Sequence, residues 1–270
     1  MPAAAPWWAA LSLAAAVALV AWRAGSLRGD GAVAAWITGA LALRTGWHWG
    51  AYLITWFVLA SVLSRMGKAR KSARVGAVVA KGDRRDAWQV MANGGVFACC
   101  AAWSLWRGVD AMDPWTAVAA AASLAAAGAD TWATEIGTWI GGTPWSLRER
   151  RRVPVGTSGA ITLSGTLGGV AGGVLLAALA SALGIIAGRE FLAVAVGSSI
   201  GALADTVVGA WWQERRHCPR CAMATERRVH DCGTNTTVAG GIAGLDNDVV
   251  NLLCTLAGAG TALLFAAASG

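Results

Sequence analysis

Ala129-Asp130-Thr131 and Ala204-Asp205-Thr206 each lie inside a long apolar run. A carboxylate in such a run costs roughly 2.5–3.5 kcal/mol on insertion scales, so a chain that keeps two of them uses them. Each signature is followed, across a basic loop, by a matching element just before the next apolar run: Gly156-Thr157-Ser158, 27 positions after Ala129, and Gly233-Thr234-Asn235, 29 positions after Ala204. An acid-then-glycine unit repeated at this spacing reads as a duplicated membrane hairpin carrying anionic chemistry. Both units enter in the same direction, so the repeat is parallel, with its axis along the membrane normal.

Composition agrees. Of 270 residues, 56% are hydrophobic and 14% charged, which excludes a soluble α/β enzyme. Apolar stretches of spanning length fall near 7–22, 88–106, 114–140, 160–186, 190–212 and 247–268, and 31–64 has room for two more. The expected fold is all-α, a polytopic bundle of about eight transmembrane helices. Residues 1–64 form its N-terminal membrane helices, 65–87 a basic loop, and 88–270 the catalytic core, with repeats near 114–186 and 190–268. Alanine and glycine dominate the runs, which favours close packing through small faces.

Lysine and arginine placement orients the bundle. Arg23, Arg28 and the loops 65–87 (which includes Lys81), 141–159 and 213–246 carry nineteen basic residues, against three (Arg44, Arg107 and Arg189) in the alternate connections. The chain is therefore expected in the inner or plasma membrane, with its N-terminus outside and the basic loops in the cytosol. Met1 to Trp22 lacks the basic start of a cleavable signal, so the first helix is expected to remain. The net charge of +7 then lies on one face, where it either sets topology alone or attracts anionic head groups and nucleotide phosphates.

In this topology four helices bring Asp or Asn to comparable depth on the cytosolic side. Asp205 lies about 10 Å from its helix end at 1.5 Å per residue, with Asp130 somewhat deeper. Asp246, Asn247, Asp248 and Asn251 open the last helix, and Asn93 lies at the start of the helix after the most basic loop. Carboxylates flanked by basic loops suit Mg²⁺ that bridges to phosphate oxygens. Asp130 and Asp205 are the first candidate ligands. Asp246 and Asp248 are the second, although either could instead cap the helix. Glu135, one turn after Thr131, is a third ligand, a base or a partner for an arginine.

Gly156-Thr157-Ser158-Gly159 and Gly233-Thr234-Asn235-Thr236-Thr237 are expected where the chain enters a helix, either as phosphate cradles or as ordinary N-caps. Cys218, Cys221, His230 and Cys232 could hold Zn²⁺ as Cys₃His, or could be reduced cysteines without a partner. Sixteen tryptophans, many at predicted helix ends, fit interfacial anchoring.

Four segments carry a family resemblance: Arg85 to Gly95 (RDAWQVMANGG), Ala129 to Gly137 (ADTWATEIG), Val153 to Gly159 (VPVGTSG) and Leu245 to Asn251 (LDNDVVN). Together they resemble the family of plant phytyl-phosphate kinases and their bacterial and animal relatives. The resemblance implies phosphorylation of an isoprenyl monophosphate to the diphosphate by a nucleoside triphosphate, with CTP among the donors it allows. A fainter similarity reaches the CTP-dependent polyprenol kinases and CDP-diacylglycerol synthases, through Gly240-Gly241 and Leu245-Asp246. This chain lacks their lysine before Gly156, leaving Arg150 to Arg152 or Arg70, Lys71, Arg84 and Arg85 to neutralise phosphate, with Asn93 orienting a phosphate or water. The expected partners are a nucleoside triphosphate and a membrane lipid or isoprenyl phosphate. A homodimer is allowed, and no nucleic-acid partner is expected. The rival readings are a lipid or ion transporter or flippase, since intramembrane acids also mark ion pathways, and a cytidylyltransferase acting on a lipid phosphate.

Overall fold

The computed structural model of the protein describes residues 4–75, 84–108 and 111–269; Lys81 of the basic loop lies outside them. Among the described residues there are eight long helices: α1 (Trp7–Arg23), α2 (Gly29–Thr45), α3 (Trp47–Arg65), α5 (Ala87–Trp106), α6 (Pro114–Ile140), α7 (Leu163–Ala182), α8 (Phe191–Trp211) and α9 (Asn247–Ser269). A short basic helix, α4 (Lys68–Val75), lies between α3 and α5. By length and composition, three segments of the described residues can cross a membrane: Leu163–Ala182, Gly188–Trp211 and Asn247–Ser269. The stretch expected to hold two helices breaks at Gly46, whose φ of +144° and contact with the His48 ring leave no room for a Cβ.

α6 is the axis of the bundle. Every residue from Ala117 to Ala129 is buried, because α3, α5, α7, α8 and α9 surround that half of the helix. A helix that is apolar all round either faces lipid or is enclosed by other helices, and here the neighbours enclose it. α1 and α2 pack on each other, and α2 rests on α5 and α3. Asp113 caps α6, its Oδ1 accepting from the backbone N–H groups of Trp115 and Thr116 at 3.1 Å, with Pro114 at the first helical position. Asp86 and Gln89 form a capping box that starts α5.

The loops contain structure that an all-α reading omits. After α6 comes a three-stranded antiparallel sheet of β1 (Trp145–Ser146), β2 (Arg151–Arg152) and β3 (Ala160–Ile161), in the order β2-β1-β3. After α8 comes a second, of β4 (Arg215–Cys218), β5 (Met223–Thr225) and β6 (Thr237–Gly240), in the order β5-β4-β6. Strands of two to four residues are too short for period-two alternation to register in sequence. The stretches α6 to α7 and α8 to α9 thus share one element order, helix, sheet with its first strand central, helix.

Small residues set the helix spacing. A Cβ on Gly201 would lie 2.7 Å from both Ala126 Cβ and the Cys254 carbonyl, and one on Gly258 would lie 2.6 Å from Ala126 Cβ. α6, α8 and α9 therefore meet backbone to backbone. Gly197, Gly201 and Asp205 recur every fourth residue along α8, as do Ala122, Ala126 and Asp130 along α6. The faces that draw the helices together also carry the two acids.

Candidate active site

The carboxyl groups of Asp130 and Asp205 meet within hydrogen-bonding reach, and Asp205 Oδ2 is buried with no partner among the described residues. They lie at the floor of a cleft of about 1230 Å³ at one end of the bundle. Its walls come from residues 24–26 after α1, the end of α3 with α4, residues 84 and 85 before α5, Gly156, and the arm between α8 and α9, with Arg65, Lys68, Lys71, Arg84, Arg85, Arg227 and Arg228 as its basic side chains. Asn93, Glu135, Asp246, Asn247, Asp248 and Asn251 also line it. Along α6 the lining residues Asp130, Thr131, Thr134, Glu135 and Thr138 form one stripe at helical spacing.

Two like charges in contact are a standing cost that a shared proton or a cation relieves. The donor set is oxygen-only, and among the described residues no protein donor reaches Asp205 Oδ2. These residues fit Mg²⁺. Asp248, buried at the start of α9, lies on the same cleft. Asp246 has a structural task as well, because its Oδ1 accepts from the backbone N–H groups of Asp248 at 3.1 Å and Val249 at 3.3 Å, capping α9.

Several expectations are corrected. Lys71 is not a free phosphate ligand: its ammonium is bound by Glu135 Oε2 at 2.6 Å and by the carbonyls of Leu63 at 2.8 Å and Ser64 at 2.9 Å. Those three acceptors match its three donors. Glu135, which also accepts from Ser64 Oγ at 2.6 Å, is thereby a lysine's partner rather than an arginine's. Arg70 is exposed and outside the cleft, since Lys68, Lys71 and Arg74 occupy the face of α4 turned toward α6. Arg74 donates to the carbonyls of Thr138 at 2.6 Å and Gly142 at 2.9 Å, closing the C-terminal end of α6.

The glycine-hydroxyl segments are not helix starts. Thr162 caps α7, accepting from the Gly165 N–H at 3.0 Å, six residues after Gly156. Gly156 lines the cleft, but Thr157 Oγ1 donates to the Pro154 carbonyl and Ser158 Oγ to Gln213 Oε1, while Gly159, at φ +68°, lies against Ala210. These residues buttress the end of α8. Thr234 and Asn235 lie far from the start of α9 along the chain, in a turn where the Thr234 carbonyl accepts from the His230 N–H at 3.0 Å and Asn235 bridges to Val229. The turn sits beside Cys218, Cys221, His230 and Cys232, whose ligand atoms all lie within 4.8 Å of one another.

Sequence reasoning missed Ser61, Arg65, Gln89, Gln213, Glu226 and Arg228 as cleft residues. For Gln89 a signal existed, one turn before Asn93 on the same helical face. For the arm residues none did, because only the folded loop returns them to the bundle. Glu214, also in the cleft wall, accepts from the Gly244 N–H at 2.6 Å and from Arg216. The Gly244 backbone and the Arg216 guanidinium hold its carboxyl below the ordinary range.

A helical bundle with three segments long and apolar enough to cross a membrane has the makings of an integral membrane protein. Residues 12–259 match the model of the integral membrane protein family DUF92, and the chain belongs to that family. It is 27% identical over 182 residues to the uncharacterized membrane protein sll0875 of Synechocystis, covering 67% of this chain and 70% of the relative. It is 27% identical over 240 residues to the chloroplastic protein VTE6 of Arabidopsis thaliana, covering 88% of this chain but only 65% of VTE6. To the Arabidopsis protein PGR it is 25% identical over 268 residues, covering 92% of this chain and 91% of the relative. No solved structure matches the chain.

Proposed function

We propose that the protein is a membrane-embedded phosphotransferase that passes the γ-phosphoryl group of a nucleoside triphosphate to an isoprenyl monophosphate. The eight long helices would lie in the bilayer, as two parallel repeats preceded by α1 to α5, with the cleft facing the cytosol. One observation carries the reading: an acid pair and an arginine rim share a cleft that continues into an apolar groove. Leu13, Val17, Ile54, Phe57 and Val90 line that groove, and Arg85, Gln89, Asn93 and Thr131 line both spaces. An isoprenyl tail would lie along this groove and the lipid beside it, with its phosphate at Arg85, near the floor where Asp130 and Asp205 meet. The resemblance to the phytyl-phosphate kinases supplies the substrate class.

The acceptor phosphate is anionic at neutral pH, so a phosphate oxygen can attack the γ-phosphorus without a strong base. The new P–O bond forms as the bond to the β–γ bridging oxygen breaks, releasing the nucleoside diphosphate. Positioning and charge neutralisation supply most of the acceleration in such transfers. Arg84 and Arg85, joined by Arg65 and Arg228, would balance the phosphate charge, and Asn93 would orient the acceptor. Asp130 and Asp205, with Asp248 nearby, would hold Mg²⁺, which when bound neutralises and aligns the triphosphate oxygens. Lys71 and Glu135 would fix α4 and the end of α3 without touching substrate.

The test is purified protein in nanodiscs supplied with Mg²⁺, each nucleoside triphosphate in turn and a panel of isoprenyl monophosphates. The expected products are the diphosphate and a nucleoside diphosphate, with Asp130→Asn and Asp205→Asn each abolishing turnover in a folded bundle. Near-normal rates in either variant would refute the assignment. Pyrophosphate release would indicate cytidylyl transfer instead, and metal-independent flux into liposomes a carrier.

A further inference from the structure

We propose that Cys218, Cys221, His230 and Cys232 bind one Zn²⁺ ion, and that this ion clasps the arm between α8 and α9 over the mouth of the cleft. The four ligand atoms lie within 4.8 Å of one another. Cys218 Sγ is 3.6 Å from Cys232 Sγ, and His230 Nδ1 is 3.3 Å from the same sulfur. A tetrahedron with Zn–S bonds of about 2.3 Å has edges of roughly 3.8 Å, so the cluster already approaches the coordination polyhedron. The sulfurs are free thiols, not a disulfide.

His230 has no other evident task. It is 6% exposed, its ring contacts go to Cys232, and its Nε2 is buried with no partner among the described residues. Cys218 closes β4, and the Pro219-Arg220 turn brings Cys221 back to the same side. Ala222 follows at φ +52°, a left-handed conformation that residues with a Cβ avoid unless their surroundings impose it.

The arm needs such a clasp because it lacks a core of its own. Its sheet has strands of four, three and four residues, and Met223, Val229, Val238 and Ile242 are exposed. Sheets this small need a staple, and a structural zinc site contributes its binding energy to folding. What the staple holds is the segment between the two ligand pairs: Glu226, Arg227 and Arg228 all line the cleft, and Glu226 Oε1 accepts from Gln213 Nε2 at 3.0 Å, where the arm leaves α8. Zinc would thus fix an arginine of the rim at a distance from the acid pair.

The test uses the full-length protein in detergent, with metal content measured by plasma mass spectrometry. One zinc per chain is expected, falling well below one in Cys221→Ser and His230→Ala and unchanged in Cys99→Ser, a cysteine outside the cluster. Exchange with Co²⁺ should give the intense visible bands and thiolate charge transfer of a tetrahedral site. Chelation of the wild-type protein should speed tryptic cleavage after Arg227 and Arg228 at least tenfold, with protection restored by Zn²⁺ and not by Mg²⁺. These readouts do not depend on catalysis, so they fail or succeed apart from the kinase reading. Protein that holds no zinc, takes up no cobalt and is cut at one rate with or without added zinc overturns the proposal.

Discussion

Replacing Lys71 by methionine should destabilise the protein by about 3 kcal/mol, the lower end of what removing one partner from a buried ion pair costs. The Lys71 and Glu135 side chains are 9% and 21% exposed, and their charged atoms are 2.6 Å apart. Methionine keeps most of the stem, so packing changes little. The loss is the ion pair and the two bonds to the carbonyls of Leu63 and Ser64. Ser64 Oγ still donates to Glu135, and the cleft admits water beside it, which holds the cost at the low end. For a chain of this size such a loss lowers the melting temperature by roughly 6–12 °C. Unfolding in detergent, followed by tryptophan fluorescence, reads it directly. Glu135→Gln should lose a similar amount, and the double variant less than the sum, because neither charge is then left alone. A Lys71→Met protein with unchanged stability but lost nucleotide binding would overturn this reasoning and return Lys71 to the phosphate site.

Gly201→Leu should destabilise by at least about 1–3 kcal/mol through overpacking and abolish turnover, since the side chain would push α8 from Ala126 and Cys254 and part the acids. Gly260→Ala, on the same bundle but with no atom within 4 Å of its Cβ, should be neutral or slightly stabilising in the same melts. Glu214 gives an acid limb to stability. The Gly244 N–H and Arg216 lower its folded-state pKa, so its contribution is whole above the unfolded carboxylate value and is lost as pH falls through the lower folded one. Melting temperatures between about pH 6 and pH 3 should therefore fall less steeply for Glu214→Gln, and an identical slope would remove Glu214 as the cause.

The acids were legible because a carboxylate in an apolar run is conspicuous at any register. Asn93, Asn247, Asp248 and Asn251 followed from helix direction alone, since each lies within two turns of an end facing the basic loops. Lys71 was misread because its partner is 64 residues away, and a lysine in a basic loop looks the same whether solvated or bound. Thr157 and Ser158 were misread because glycine and hydroxyl residues serve turns as readily as helix starts.

The amino-acid sequence by itself determined that this chain is a helical membrane protein, where its long helices run and that two acids lie inside apolar runs. Those conclusions rest on hydropathy and insertion cost, which are summed over neighbours along the chain. Only the tertiary structure decided that the acids touch, that Glu135 is committed to Lys71, and that Arg228 and the cysteine arm reach the cleft. These depend on how closely glycine and alanine faces let separate helices approach, and on where irregular loops return, distances that no local pattern encodes.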